Sequence, residues 1–314
     1  MICGGAARTP DAASFASLRY YLYLLLTAVL WGSNYHLAKY MVAETTFAGG
    51  GFWRYAVAVA TLLLVVGRGL PNWATVRRHL GPAALIGGVA LFGFNLCYFL
   101  GLGYTSALNG SLIMSLNPAS TVLLSAALLG TAVRPLQVVG LVVSLAGVAY
   151  LVTAGEPSRL SDLDLNRGDL CFLGANVCFA FHHVWVKRYG GGLSTQHFTL
   201  LIAAFTFAAF LVALTVTGYR PSLDHTPTFW GCVLAFGALG TTLAYLSWNA
   251  GVKALGADVG GMFLNVPPLA TALGAAVLGQ PFLREHYVAG GLVLTGLLIG
   301  QWSVYRARGA EVSR

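Results

Sequence analysis

Side chains equipped for chemistry sit in this sequence where apolar ones are expected. Residues 31–40, WGSNYHLAKY, close an apolar run that opens YYLYLLLTAVL, and they place Ser33, Asn34, His36 and Lys39 on one short stretch. A second insertion, ANVCFAFHHVWVKRYG at 175–190, puts Asn176, His182, His183 and Lys187 into another apolar run. An ionisable side chain at the centre of a membrane helix costs ~3 kcal/mol or more, so such groups face a bundle interior or a water-filled cavity. Helical spacing sorts them into rows: Tyr35 and Lys39 are one turn apart, as are His183 and Lys187, and Trp31 shares the row of Asn34 and Tyr35. Asn, Tyr and Lys can hold a carboxylate, while aromatic faces and freed carbonyls can receive an ammonium group. A small zwitterion with an apolar side chain suits this inventory best. The same residues also suit hydrogen bonds between packed helices, and Lys39 and Lys187, near span ends, also suit snorkelling to headgroups.

Four further runs carry such groups. Asn95 and Tyr98 lie one turn apart, and Tyr245 precedes Trp248 and Asn249 at the same spacing. SLNPASTVLL carries Asn117 and Pro118, and LNVPPLAT carries Asn265, Pro267 and Pro268. A proline inside a helix removes an amide and frees a carbonyl, so these segments mark hinges or a site. The predicted substrate-binding residues are Trp31, Asn34, Tyr35, Asn95, Tyr98, His183, Tyr245, Trp248 and Asn265. Pro118, Pro267 and Pro268 are the predicted hinges, with Lys39 and Lys187 at the mouths. No catalytic residue, metal site or cofactor is predicted: GxxxxGK[ST], HExxH and GxSxG are all missing. All ten carboxylates fall in connections, termini or span ends. If the chain moves a substrate, that movement is either downhill or proton-coupled through His36, His182, His183 or Asp258.

The elements that hold these residues follow from composition. The chain of 314 residues is 57% hydrophobic and 9% charged, against about 25% charged in soluble domains. It reads as an all-α, multi-pass membrane protein with ten apolar stretches near 20–42, 50–67, 82–102, 108–130, 136–154, 169–188, 197–218, 229–250, 258–280 and 286–305. The first is too long for a signal peptide and is read as a retained span. The five cysteines show no CxxC spacing and read as free thiols. With the N-terminus cytoplasmic, twelve of the 18 Lys and Arg fall on the cytoplasmic side, which places both termini inside. The net charge of +8 expresses this bias toward anionic headgroups, and no nucleic-acid partner is predicted; the partners are the bilayer and a small-molecule substrate.

The longest polar connection divides the chain into repeats. An offset of 148 pairs Trp31 with Phe179, Asn34 with His182, Tyr35 with His183 and Lys39 with Lys187. An offset of 149 pairs Asn109 with Asp258, Pro118 with Pro267 and Gly130 with Gly279. The predicted organisation is a cytoplasmic tail (1–19), a first five-helix repeat (20–154), an extracytoplasmic connector (155–168), a second repeat (169–305) and a cytoplasmic tail (306–314). Five spans being an odd number, the second repeat enters the membrane inverted, and the substrate site of such transporters lies near the midplane between the repeats.

The order and spacing of WGSN in the first span, FWRY opening the second, YTSALNGSLIMSLNP crossing into the fourth and YLSWNAGVKALGADVGGMFLNVPPLATALGAAVLG resemble the EamA family of the drug/metabolite transporter superfamily over about residues 20 to 305. Within it the chain is most similar to the bacterial YddG-type amino-acid exporters. The resemblance implies a transporter of the bacterial inner membrane, not an enzyme. It implies export of aromatic and other neutral amino acids by alternating access through a central cavity. It also implies a structural or gating role for Arg54. The double proline at 267 and the paired histidines at 182 match no family motif. Export of a purine, sugar phosphate or cationic drug, a channel, and a membrane scaffold that moves nothing stay open as alternatives.

Overall fold

A computed structural model describes residues 10–67, 69, 71–156, 158, 166–255, 263–264 and 266–312. The described residues are helical and contain no strand. In chain order the helices are α1 (Pro10–Glu44), α2 (Phe47–Val66), α3 (Trp73–Tyr104), α4 (Ala107–Leu129), α5 (Pro135–Val152), α6 (Arg167–Tyr189), α7 (Thr195–Thr217), α8 (Pro227–Leu255), α9 (Val266–Val277) and α10 (Arg284–Val312). Six of them, α2, α3, α4, α6, α7 and α8, are long and apolar enough to cross a membrane; Pro135–Leu151 and Val266–Val277 are shorter apolar helices. In α1, 35 residues long, Ser33, Asn34, His36 and Lys39 dilute the apolar run. The outward faces are apolar: Leu64, Val216 and Val277 are 81%, 79% and 80% exposed, the pattern of a surface solvated by lipid.

Two helices start earlier than the apolar runs announce. α1 begins at Pro10, where a proline suits the first helical position. α3 begins at Trp73 behind the cap of Asn72, whose side chain accepts from the Ala74 amide at 3.0 Å. TVRRH therefore forms a polar helical extension and not a connection.

The two halves repeat each other in detail. α1 packs against α8 and α9, and α6 packs against α3 and α4; α2 pairs with α7, and α5 with α10. Exchanging each helix for the one five places away reproduces this set. α3 and α8 each contain a π-helical turn, Ile86–Leu91 and Ala235–Leu243, whose starts also lie 149 residues apart. Gly67, Gly130, Gly218 and Gly279 close α2, α4, α7 and α9 with φ of +59°, +66°, +67° and +67°, positive values that glycine adopts without a steric penalty.

Candidate functional site

The polar rows meet between the halves. A cavity of about 150 Å³ is lined by Trp31, Asn34 and Tyr35 of α1, Arg54 of α2, Phe94 and Tyr98 of α3, and Ser111, Met114, Ser115, Asn117 and Pro118 of α4. The second half contributes Phe179 and His183 of α6, Phe236, Tyr245 and Trp248 of α8, and Leu264, Pro267 and Pro268 at α9. Ligand pockets commonly combine apolar walls with a few placed polar groups. The walls here are aromatic: Trp31 lies against Tyr245 and Trp248 at 5.8 and 5.1 Å between ring centroids, and Phe94 stacks on Phe179 at 4.5 Å. Among the described residues no Asp or Glu lines the cavity.

The π-helical turn of α8 organises the polar part of the wall. Arg54, 6% exposed, donates Nε to Thr241 Oγ1 at 3.2 Å and Nη1 to Asn95 Oδ1 at 2.6 Å, and its guanidinium carbon lies 3.8 Å over the Phe236 ring. Asn34 donates Nδ2 to Gly240 O at 3.1 Å. Phe236, Gly240 and Thr241 all belong to that turn, where extra backbone width brings side chains to places a regular helix does not offer.

The α4 wall is discontinuous. Its first segment ends at Met114 and its second starts at Asn117, with Pro118 in the opening turn. The helix is rejoined to α6 by side chains: Asn176 donates Nδ2 to Ile113 O at 3.3 Å, and Asn117 donates Nδ2 to Asn176 O at 3.0 Å. On the other side, Thr271 of α9 donates its hydroxyl to Gly32 O of α1 at 2.9 Å, and His36 Nε2 donates to Thr271 O at 2.8 Å. His36 thus joins two helices away from the cavity.

Seven of the nine predicted binding residues line the cavity: Trp31, Asn34, Tyr35, Tyr98, His183, Tyr245 and Trp248. Asn265 lies outside the described residues, as does Asp258. Asn95 sits behind the wall: fully buried, it accepts from Arg54 and donates to Tyr55 Oη at 3.0 Å and Leu91 O at 2.7 Å. Arg54, Pro118, Pro267 and Pro268 are on the wall. Lys39 is not; it donates to Leu102 O at 2.5 Å and Thr105 O at 2.8 Å at the end of α3, while Thr105 donates its hydroxyl to Asp169 Oδ1 at 2.6 Å. Lys187, exposed in the last turn of α6, lies at the opposite end from Asp169, about 27 Å along the helix. Phe94, Phe179, Phe236, Ser111, Ser115 and Leu264 were not predicted. Phe94 precedes Tyr98 by one turn and Phe179 falls on Trp31 under the repeat, so spacing alone marks both.

Further hollows flank the cavity on two sides. One, lined by Thr195, Phe198 and Thr199 of α7, shares Trp31, His183, Tyr245 and Trp248 with it. The other, around Lys39, Asn109, Asp169 and His286, shares no lining residue with it. Between them Tyr35, Tyr98 and Phe172 pack ring to ring at 5.2 to 6.1 Å.

Comparison with known proteins agrees with this architecture. The model of the EamA-like transporter family matches residues 18–153 and again 166–300. The uncharacterized transporter YyaM of Bacillus subtilis (strain 168) is 31% identical over 287 residues, covering 90% of this chain and 93% of its own. The aromatic amino acid exporter YddG of Salmonella typhimurium (strain 14028s / SGSC 2262) is 26% identical over 297 residues, covering 90% and 97%. A solved crystal structure shares the fold, with a TM-score of 0.63 at 22% identity over 94% of this chain and 99% of that one. The family model thus covers both halves of the bundle, and the chain belongs to the EamA-like transporter family.

Proposed function

We propose that this multi-pass membrane protein exports aromatic and other neutral amino acids across a bacterial inner membrane by alternating access. In this reading all ten helices span the bilayer as two inverted five-helix repeats, 20–154 and 169–305, joined by an extracytoplasmic connector and flanked by cytoplasmic tails. The observation that carries it is the cavity itself, an aromatic chamber with no Asp or Glu among its described lining residues, to which both repeats contribute walls. A substrate held there touches both halves, so rocking one against the other changes its exposure. The hollow that shares lining with the cavity leads toward the Lys187 end, and rings of Tyr35, Tyr98 and Phe172 separate it from the Lys39 end. The state described is therefore read as open to the cytoplasm. Similarity to relatives named as aromatic amino acid exporters supports the substrate class.

The test is uptake of radiolabelled phenylalanine into proteoliposomes holding only the purified protein, with no ion gradient imposed. Saturable flux blocked by neutral and aromatic amino acids is the expected result. Flux blocked only by purines, sugar phosphates or cationic drugs would contradict the assignment.

A further inference from the structure

Arg54 presents an unbalanced charge. A guanidinium has five N–H donors and stays charged when buried. Arg54 is 6% exposed, and its hydrogen-bond partners among the described residues, Thr241 Oγ1 and Asn95 Oδ1, are neutral. Stacking over Phe236 at 3.8 Å offsets part of the desolvation. No described carboxylate stands on the cavity wall, yet buried charges in proteins are ordinarily paired. The missing anion is expected from outside the chain.

Two more polar atoms point the same way. Six buried side-chain N or O atoms among the described residues have no hydrogen-bond partner, and two of them, Asn34 Oδ1 and Tyr98 Oη, belong to residues lining this cavity. Tyr98 is 3% exposed and its ring packs on Phe236 at 6.3 Å, the ring that Arg54 covers. Asn34 and Arg54 bind consecutive residues of α8, Gly240 and Thr241. One unpartnered hydroxyl and one unpartnered amide oxygen thus lie on residues that share the α8 turn with the Arg54 guanidinium.

We propose that Arg54 and Tyr98 form the carboxylate subsite of the transported amino acid, the guanidinium and the phenol O–H each donating to the carboxylate, while Asn34 Oδ1 accepts from the ammonium group. This rests on the amino-acid reading above. It makes Arg54 a substrate ligand in addition to an anchor between α2 and α8, and it leaves the aromatic walls to the substrate's side chain. The subsite distinguishes amino acids from their decarboxylated amines, which have the same ring and ammonium group but would add a second positive charge beside Arg54.

The experiment is competition against labelled phenylalanine in proteoliposomes, using phenylalanine, phenethylamine, which lacks the carboxylate, and 3-phenylpropionate, which lacks the ammonium. The unaltered protein should prefer phenylalanine to phenethylamine by at least about tenfold, the scale of one charge-assisted hydrogen bond. Tyr98→Phe removes only the unpartnered oxygen and should raise the half-saturation concentration several-fold while narrowing that preference. Arg54→Gln keeps hydrogen-bonding capacity toward Asn95 and Thr241 and should bring the preference close to one, a change that loss of folded protein does not imitate. Phenylalanine flux with phenethylamine competing equally well, or with Tyr98→Phe matching the unaltered protein in both half-saturation and preference, would overturn the subsite alone. No flux of any amino acid would overturn the export reading and the subsite with it.

Discussion

At the scale of single residues, the site consists of groups whose hydrogen bonds are only half used. Asn34 spends its amide N–H on Gly240 O and leaves its oxygen without a hydrogen-bond partner beside the bare α-carbon of Gly240, where an added Cβ would lie 1.9 Å from Asn34 Oδ1. Gly240→Ala should therefore turn Asn34 away from the wall and raise the half-saturation concentration several-fold. The overpacking should cost about 1–3 kcal/mol, readable as a lowered melting temperature in detergent, and an unchanged transport curve would remove Asn34 from the site. Asn34, Tyr98 and His183 were legible in the sequence because a polar group in an apolar run demands a reason. Asn95 gave the same signal for a different reason, since anchoring Arg54 demands a buried amide just as binding substrate does. Phe236 gave no signal: a phenylalanine that faces lipid and one that carries a guanidinium read alike.

Among the helices, hydrophobic runs and Gly or Pro punctuation made their positions legible, as Pro118 did the break inside α4. The π-helical turns of α3 and α8 were not legible, because LIGGVALFG and LAFGALGTT fit a regular helix equally well. They are decided by packing: Gly237 of the α8 turn approaches α2 so closely that a Cβ would meet Val57 Cβ at 2.6 Å. The ends of the helices carry their own device. Glu44, the last residue of α1, accepts from the Thr226 hydroxyl at 2.5 Å and the Thr226 amide at 3.0 Å, while Thr226 caps α8 by accepting from Phe229 N at 3.2 Å. The Thr226 hydroxyl first, then its amide, holds the exposed Glu44 carboxyl below the usual range. A carboxylate with a lowered folded-state pKa stabilises the fold above its unfolded-state pKa, and that contribution fades as pH falls through the lowered value. Glu44→Gln should thus lower the melting temperature slightly at pH 7, by a difference that shrinks as pH falls through the lowered value. A difference that persists unchanged through that fall would show that charge at Glu44 plays no part.

For the whole molecule, the packing relation between α1 with α8 and α9 and α6 with α3 and α4 makes two similar halves share one chamber. The aromatic packing of Tyr35, Tyr98 and Phe172 lies on one side of that chamber and the Thr195 hollow on the other, so the proposed alternate state would open the first and close the second. Two states exchanging around one bound substrate define a carrier, and a carrier reorients faster when loaded on the far side. The most direct test is counterflow: proteoliposomes preloaded with unlabelled phenylalanine are diluted into a trace of labelled phenylalanine. The account predicts a transient overshoot of internal label above its equilibrium level that is absent from vesicles without the protein. Label that rises to equilibrium at a rate indifferent to the preload would contradict alternating access and leave a channel as the better description.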